Sequence, residues 1–308
     1  MLLLANSFWG LSFPVVKALL LIHERMLPGA SAWFSTIYTI APRFLFAVGL
    51  LVLWRPRLFA QVTRQELKQG VVLGLLTAAA MFLQNDALQF THASTSAFLT
   101  QFYAILIPVF LAVRARQNPG GRIWLCCALV LAGVAILGQF DWRELRLGRG
   151  EWETLLCSVF FGGQILWLGK KEFAGNDGVR LTLVMFVTEA IVFWGAAAAL
   201  APDVQTLVLP WTLAPWVGLT AALALFCTLG AFLLMNTWQP KITATEAGLI
   251  YCVEPIFSAL MALFMPAWFS AWAGINYANE TATWMLLVGG GLITLANVVL
   301  QLKPPARE

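Results

Sequence analysis

Six charged side chains stand inside long apolar runs: Lys17, Arg43, Asp86, Glu189, Glu246 and Glu254. A charge at the middle of a membrane helix costs roughly 2.5–3.5 kcal/mol on insertion scales, so one that persists faces protein or a water-filled cavity. Glu254 precedes Pro255, which removes a backbone hydrogen bond and kinks or breaks a helix, and Tyr251 and Ser258 share its face. That arrangement reads either as a binding carboxylate at mid-depth or as an acceptor for the backbone groups the proline frees. Asp86 lies in a stripe with Phe82, Asn85 and Gln89 at helical spacing, which suits cavity lining or helix–helix hydrogen bonding. Gln101, Tyr103, Gln164, Trp167 and Asn236 add uncharged donors and acceptors at cavity depth, each of which alone also fits a structural role. Together these groups could bind a small polar molecule without covalent chemistry.

The remaining charged groups read more simply. Lys17 and Arg43 are expected to pair with an acid such as Asp86. Glu246 sits near the start of its helix, where an acid complements the dipole, and Glu189 has no partner that the sequence identifies. No metal centre or cofactor is expected. His23 and His92 are far apart, Cys126, Cys127, Cys157, Cys227 and Cys252 lie in apolar runs, and no C-x-x-C pair exists. No G-x-S-x-G, H-E-x-x-H or phosphate-loop pattern is present, so an enzyme is not expected.

These residues need a frame of helices in lipid. The 308 residues are 60% hydrophobic and 11% charged, against about 45–50% and about 25% in soluble domains. Lys and Arg cluster in short connectors, as in Arg55–Lys68, Arg114–Arg122 and Lys170–Arg180, so the net charge of +4 does not signal nucleic acid. A span needs roughly 20 residues. Runs near that length fall at Met1–Ile22, Phe34–Trp54, Gly70–Phe90, Thr95–Val113, Arg122–Gly138, Trp152–Gly169, Leu181–Ala201, Trp211–Thr237, Thr243–Met265 and Thr283–Leu302. The expected fold class is therefore all-α integral membrane, with ten transmembrane helices. With both termini cytoplasmic, thirteen of the nineteen basic residues fall inside and four, Arg25, Arg143, Arg146 and Arg149, outside, with Lys17 and Arg43 within spans. The Gly70/Gly74 spacing and Gly289-Gly290-Gly291 allow close helix packing without a ligand.

Ile107-Pro108-Val109-Phe110 in the fourth span recurs as Glu254-Pro255-Ile256-Phe257 in the ninth, five spans later. An odd number of spans per repeat turns the second copy over, giving two inverted five-helix repeats at residues 1–140 and 150–303. A weaker echo links Trp9-Gly10 with Phe161-Gly162.

Several segments resemble the EamA family of the drug/metabolite transporter superfamily. Asn6-Ser7-Phe8-Trp9-Gly10-Leu11-Ser12-Phe13-Pro14 with Lys17 is similar to its opening Trp-Gly segment, and Pro42-Arg43-Phe44 to its second-helix arginine. Ala87-Leu88-Gln89-Phe90-Thr91, then Ala93 to Thr100 and Pro108, resembles the third-to-fourth helix hairpin. Ala247-Gly248-Leu249 through Glu254-Pro255-Ile256-Phe257-Ser258-Ala259-Leu260 resembles the ninth helix. Trp9 joins the candidate site because of this motif; most of the fourteen tryptophans are expected at lipid interfaces. The chain departs where the family places a Gly-Glu pair after the ninth helix, having Met265-Pro266-Ala267-Trp268 and a longer connector through Glu280.

The resemblance implies ten helices in two inverted repeats and export of small metabolites. The expectation is a secondary transporter in the cytoplasmic (inner) membrane, moving a neutral or zwitterionic metabolite such as an amino acid by alternating access. The scarcity of intramembrane cations disfavours strongly anionic cargo. A desolvated carboxyl holds its proton more readily, so proton coupling at Glu254 and exchange coupling both stay open. The candidate substrate-binding set is Trp9, Phe82, Asn85, Asp86, Gln101, Tyr103, Gln164, Trp167, Asn236, Tyr251 and Glu254. A membrane-embedded enzyme and a non-transporting scaffold or channel are the alternatives.

Overall fold

Side chains that face hydrocarbon must be apolar, while polar groups must find partners inside the bundle. The computed structural model describes residues 1–114, 116, 120–137, 147–242, 244–251 and 253–302, and among them every regular element is a helix. Asn6, Thr36, Arg43, Gln69, Asn85, Asp86, Gln164, Glu189 and Asn236 are buried, whereas Leu53, Val113, Ile191, Val204 and Leu287 are exposed. A water-soluble protein sorts these residue types the other way.

The chain runs α1 (Leu2–Met26), α2 (Ala32–Trp54), α3 (Arg64–Ala87), α4 (Ala93–Thr100), α5 (Tyr103–Arg114), α6 (Gly121–Leu137), α7 (Arg149–Leu168) and α8 (Gly178–Leu200). There follow α9 (Val204–Val208), α10 (Ala214–Ala222), a π-helix over Leu223–Gly230, and α11 (Ala231–Trp238). The last elements are α12 (Ala244–Tyr251), α13 (Glu254–Ala262), α14 (Met265–Ala273) and α15 (Trp284–Gln301). Their starts are specified locally. Ser31 accepts from Phe34 N, Asp177 accepts from Val179 N and Arg180 N, and Thr63 with Glu66 forms a capping box at α3.

Among the described residues, six segments are long and apolar enough to cross a membrane: Leu2–Met26, Ala32–Trp54, Arg64–Ala87, Ala93–Arg114, Gly178–Leu200 and Ala214–Lys241. The pair α13 and α14, bent by 52°, makes a seventh if counted as one span. At the expected fifth, sixth and tenth spans stand α6, α7 and α15. The first is 17 residues long, and the second opens with Arg149, Glu151 and Glu153. Gly138, Arg143, Arg146, Lys303 and Arg307 lie outside the described residues, as do Cys252 and the side chains of Cys127 and Glu246.

The expected ninth span is not one helix. It stops at Tyr251, restarts at Glu254 with Pro255 in its first turn, and turns again before Met265. Proline cannot donate to the preceding turn but suits a first turn, so the chain resets there. The fourth span breaks likewise between Thr100 and Tyr103. The expected connector after Met265 instead begins with α14, which ends at Gly274 with φ +64°.

α3 packs against α7 and α8, α2 against α8, and α6 against α15. α1 lies along α13; α4 meets α13 and α7, and α5 meets α12 and α7. The Gly70/Gly74 spacing does sit where α3 meets α8: a Cβ on Gly74 would lie 2.8 Å from the Met185 carbonyl oxygen. On α1, a Cβ on Gly10 would lie 2.6 Å from Phe257 Cβ and 2.9 Å from Ser258 N, with backbone that cannot swing away. Gly10→Val is therefore expected to destabilise the protein by about 1–3 kcal/mol. Gly49→Val, which meets nothing within 4 Å, should melt like wild type in detergent; equal melting of the two variants would refute the close approach.

Candidate functional site

The two broken helices meet around a small cavity of about 50 Å3. α1 contributes Trp9 and Ser12, α2 Arg43, α3 Met81 and Gln84, and α4 Thr100. Tyr103 comes from α5, Phe161, Gln164 and Ile165 from α7, Phe232 and Met235 from α11, Tyr251 from α12 and Glu254 from α13. Because the chain turns after Thr100 and again before Glu254, side chains flanking both interruptions reach the same space.

The walls mix five aromatic side chains with polar and aliphatic ones and are held by edge-on contacts and hydrogen bonds. Trp9 packs against Phe232 and Tyr251, each with ring centroids 5.5 Å apart. Tyr251 donates to Gln239 Oε1 at 2.9 Å, and Gln239 Nε2 donates to the Ile165 carbonyl at 3.1 Å. Gln84 Nε2 donates to Thr100 Oγ1 at 3.0 Å. Such a surface can enclose a ring-bearing or amphipathic molecule while a few polar atoms orient it.

Of the residues expected from sequence, Trp9, Tyr103, Gln164, Tyr251 and Glu254 line this cavity. Gln101 stands behind the wall beside Glu254, its Oε1 accepting from the Tyr103 hydroxyl at 2.8 Å. The others face elsewhere. Asn236 donates to Thr182 Oγ1 at 2.9 Å, and Trp167 Nε1 donates to the Gln69 carbonyl at 3.3 Å. Phe82 stacks on Trp33 at 5.1 Å, and Asn85 is buried with no hydrogen bond from Nδ2.

Asp86 is bonded between helices away from the cavity wall. Its Oδ1 accepts from Thr36 Oγ1 and Gln89 Nε2, both at 2.9 Å, and Oδ2 pairs with Arg149. The expected pairing of Arg43 with Asp86 is thus corrected: Arg43 Nε donates to Thr228 Oγ1 at 2.7 Å, and Arg149 is the partner of Asp86. Lys17 donates to the Thr91 carbonyl at 2.6 Å. Beside it, Glu280 accepts from Ala93 N at 3.0 Å and from the Ser94 hydroxyl, capping α4 from the long connector. Burial, and then the charge of Glu280, raises the phenol of Tyr277 in that connector above its ordinary range. At the opposite end of α3, Glu66 accepts a forked bond from Arg180 at 2.7–2.9 Å, and Asn176 Nδ2 donates to Gln69 Oε1 at 2.7 Å. Polar contacts therefore tie the helices together at both ends of α3.

Arg43, Ser12, Met81, Gln84, Thr100, Phe161, Ile165, Phe232 and Met235 line the cavity without having been singled out as its wall. Gln84 lies on the face of α3 next to the Phe82–Asp86 stripe, which a pattern of polar spacing cannot distinguish. The Trp9-Gly10/Phe161-Gly162 echo is too short to single out Phe161, although both aromatic rings reach the cavity.

Among the described residues all regular structure is helical, and the apolar helices make this a multi-pass membrane protein with an amphipathic cavity. Its N-terminal part carries the expected family signature: residues 1–139 match the model of the EamA-like transporter family. The chain is similar to an "Uncharacterized transporter" of Archaeoglobus fulgidus, at 24% identity over 303 residues covering 98% of this chain and 85% of that one. It is also similar in fold to a protein of known crystal structure, with a TM-score of 0.56 and 16% identity over 96% of this chain and 97% of the other.

Asp86 is 1% exposed and depends on Arg149 for its counter-charge. Arg149→Gln is expected to lower stability by about 1–3 kcal/mol, the cost of leaving a buried acceptor short of partners. Asp86→Asn in the same chain should restore part of that loss. Strictly additive losses in a double-mutant cycle of melting temperatures would show that the pair does not couple.

Proposed function

We propose that this protein is a secondary transporter that alternately exposes the central cavity to the two sides of the cytoplasmic membrane, carrying a neutral or zwitterionic organic metabolite such as an amino acid. The observation that carries the reading is the meeting of two interrupted helices at one cavity lined by aromatic and polar side chains and containing Glu254. Non-helical backbone at membrane depth is tolerated where it faces protein or a cavity, and transporters place substrate sites at such interruptions. Trp9, Tyr103, Gln164, Tyr251 and Glu254 are assigned to substrate, with Gln101 holding Tyr103. Phe82, Asn85, Asp86, Trp167 and Asn236 are assigned to packing.

The reading extends to ten spans in two inverted repeats, residues 1–140 and 150–303, with both termini cytoplasmic. The packing supports it: α2 meets α8 and α6 meets α15, each the equivalent of the other under a five-span repeat. The broken helices cross in the same sense, α4 with α13 and α5 with α12. The distribution of basic residues supports the orientation. Motion of one repeat against the other would open the polar contacts at one end while those at the other persist.

Purified protein in proteoliposomes should show saturable flux for members of an amino-acid-rich panel. Glu254→Gln is expected to reduce that flux at least about tenfold, as for loss of a charge-assisted contact. Proton coupling through Glu254 predicts that an imposed pH gradient accelerates wild-type flux and leaves the variant unaffected; a variant with the full wild-type response would exclude it. Non-saturable flux would favour a channel, and its complete absence across the panel a scaffold.

A further inference from the structure

Arg43 is the one guanidinium on the cavity wall among the described residues, and its surroundings leave it incompletely used. Its side chain is 2% exposed. Nε donates to Thr228 Oγ1 at 2.7 Å, and Nη2 reaches the Cys227 carbonyl at 3.5 Å. A guanidinium has five N–H groups in a planar fork matched to two carboxylate oxygens, and these two contacts occupy only part of it. Phe44 lies beneath the group, 5.4 Å from ring centroid to Cζ.

The nearby acid does not complete the fork. Glu189 of α8 is fully buried and acts on Arg43 through its field, yet both of its oxygens lack a hydrogen-bond partner. A buried cation and a buried carboxyl thus stand near each other without joining in an ion pair among the described residues. Removing charge from water is tolerated when geometry and hydrogen bonds compensate, and here they compensate in part. The cation instead leans on Thr228, within the π-helix of Leu223–Gly230. There the Thr228 hydroxyl donates to the Leu223 carbonyl five residues back at 2.9 Å, so its oxygen is fixed as an acceptor for Arg43. π-turns inside helices recur at functional sites, and this one leads directly into the segment that supplies Phe232 and Met235 to the cavity.

We propose that Arg43 is the carboxylate-binding residue of this cavity, taking the carboxylate of a ring-bearing or otherwise amphipathic acid or amino acid. Thr228 orients the guanidinium, and the ligand carboxylate supplies the counter-charge that no ion pair provides among the described residues. The proposal rests on the transporter reading for its physiological meaning, but the binding site it names is testable separately. Glu254 lines the same cavity, so an α-amino acid would meet an acid and a cation within one enclosure. A carboxylate supplied by the ligand satisfies the unused N–H groups; an amide of the same shape brings no charge to them.

The test compares L-phenylalanine, L-phenylalaninamide and 2-phenylethylamine as ligands of the full-length protein. Ligand-induced shifts in melting temperature in detergent report binding, and uptake into proteoliposomes reports transport. Wild type is expected to prefer the acid over both analogues by about tenfold or more, as for one charge-assisted contact. Arg43→Gln should abolish that preference, and Arg43→Lys, which keeps the charge but not the fork, should reduce it. Equal binding of acid and amide by wild type, or an undiminished preference in a folded Arg43→Gln, overturns the assignment and leaves the transporter reading intact. Preferential stabilisation by the acid without flux upholds the binding site and counts against transport. Should Arg43→Gln not fold, wild type and Arg43→Lys decide: no acid preference in the first, or an equal one in the second, overturns it.

Discussion

Hydrocarbon neither donates nor accepts hydrogen bonds, and nearly every feature of this chain answers to that constraint. A helix satisfies its own backbone everywhere except at its ends, so an end placed within the bundle needs other partners. Among the described residues two of these places, after Thr100 and before Glu254, open onto the same cavity. Interruptions facing lipid would expose backbone groups to a medium that cannot receive them. Facing each other, they concentrate polar side chains at one location.

The same constraint explains what was legible in the sequence. Apolar runs of membrane length locate helices because lipid demands both composition and length, and the Glu254-Pro255 pair locates a break because proline acts through its own covalent structure. Arg149 at the head of α7 was less legible: it reads as a connector residue until folding brings it beside Asp86. Charge pairing between helices depends on which faces meet, and periodicity alone does not contain that information. Hence Asp86 found Arg149, while Arg43 found Thr228, an uncharged residue with no special sequence mark.

Cavity lining was legible where a residue belonged to a motif or flanked a break, as with Trp9, Tyr103, Tyr251 and Glu254. It was obscured where the signal was only polarity at helical spacing. On α3 the polar residues cover two adjacent faces: Gln84 reaches the cavity, while Asp86 and Gln89 join α2 and α7 at the end of the bundle. A buried polar group in lipid has two equally effective solutions, a cavity or another helix, and its identity does not choose between them.

The contrast between Asp86 and Glu189 sharpens this point. Both are almost fully buried acids, yet Asp86 is surrounded by Thr36, Gln89 and Arg149, whereas the oxygens of Glu189 receive no hydrogen bond. An acid that serves packing gathers donors, because each fixes the geometry of two helices and offsets desolvation. An acid left without donors beside a cation that bonds elsewhere is poor glue. The donors gathered around each, and neither burial nor sequence context, separate these two carboxyls, and the lack of an ion pair at Glu189 leaves the remaining N–H groups of Arg43 to a partner from the cavity.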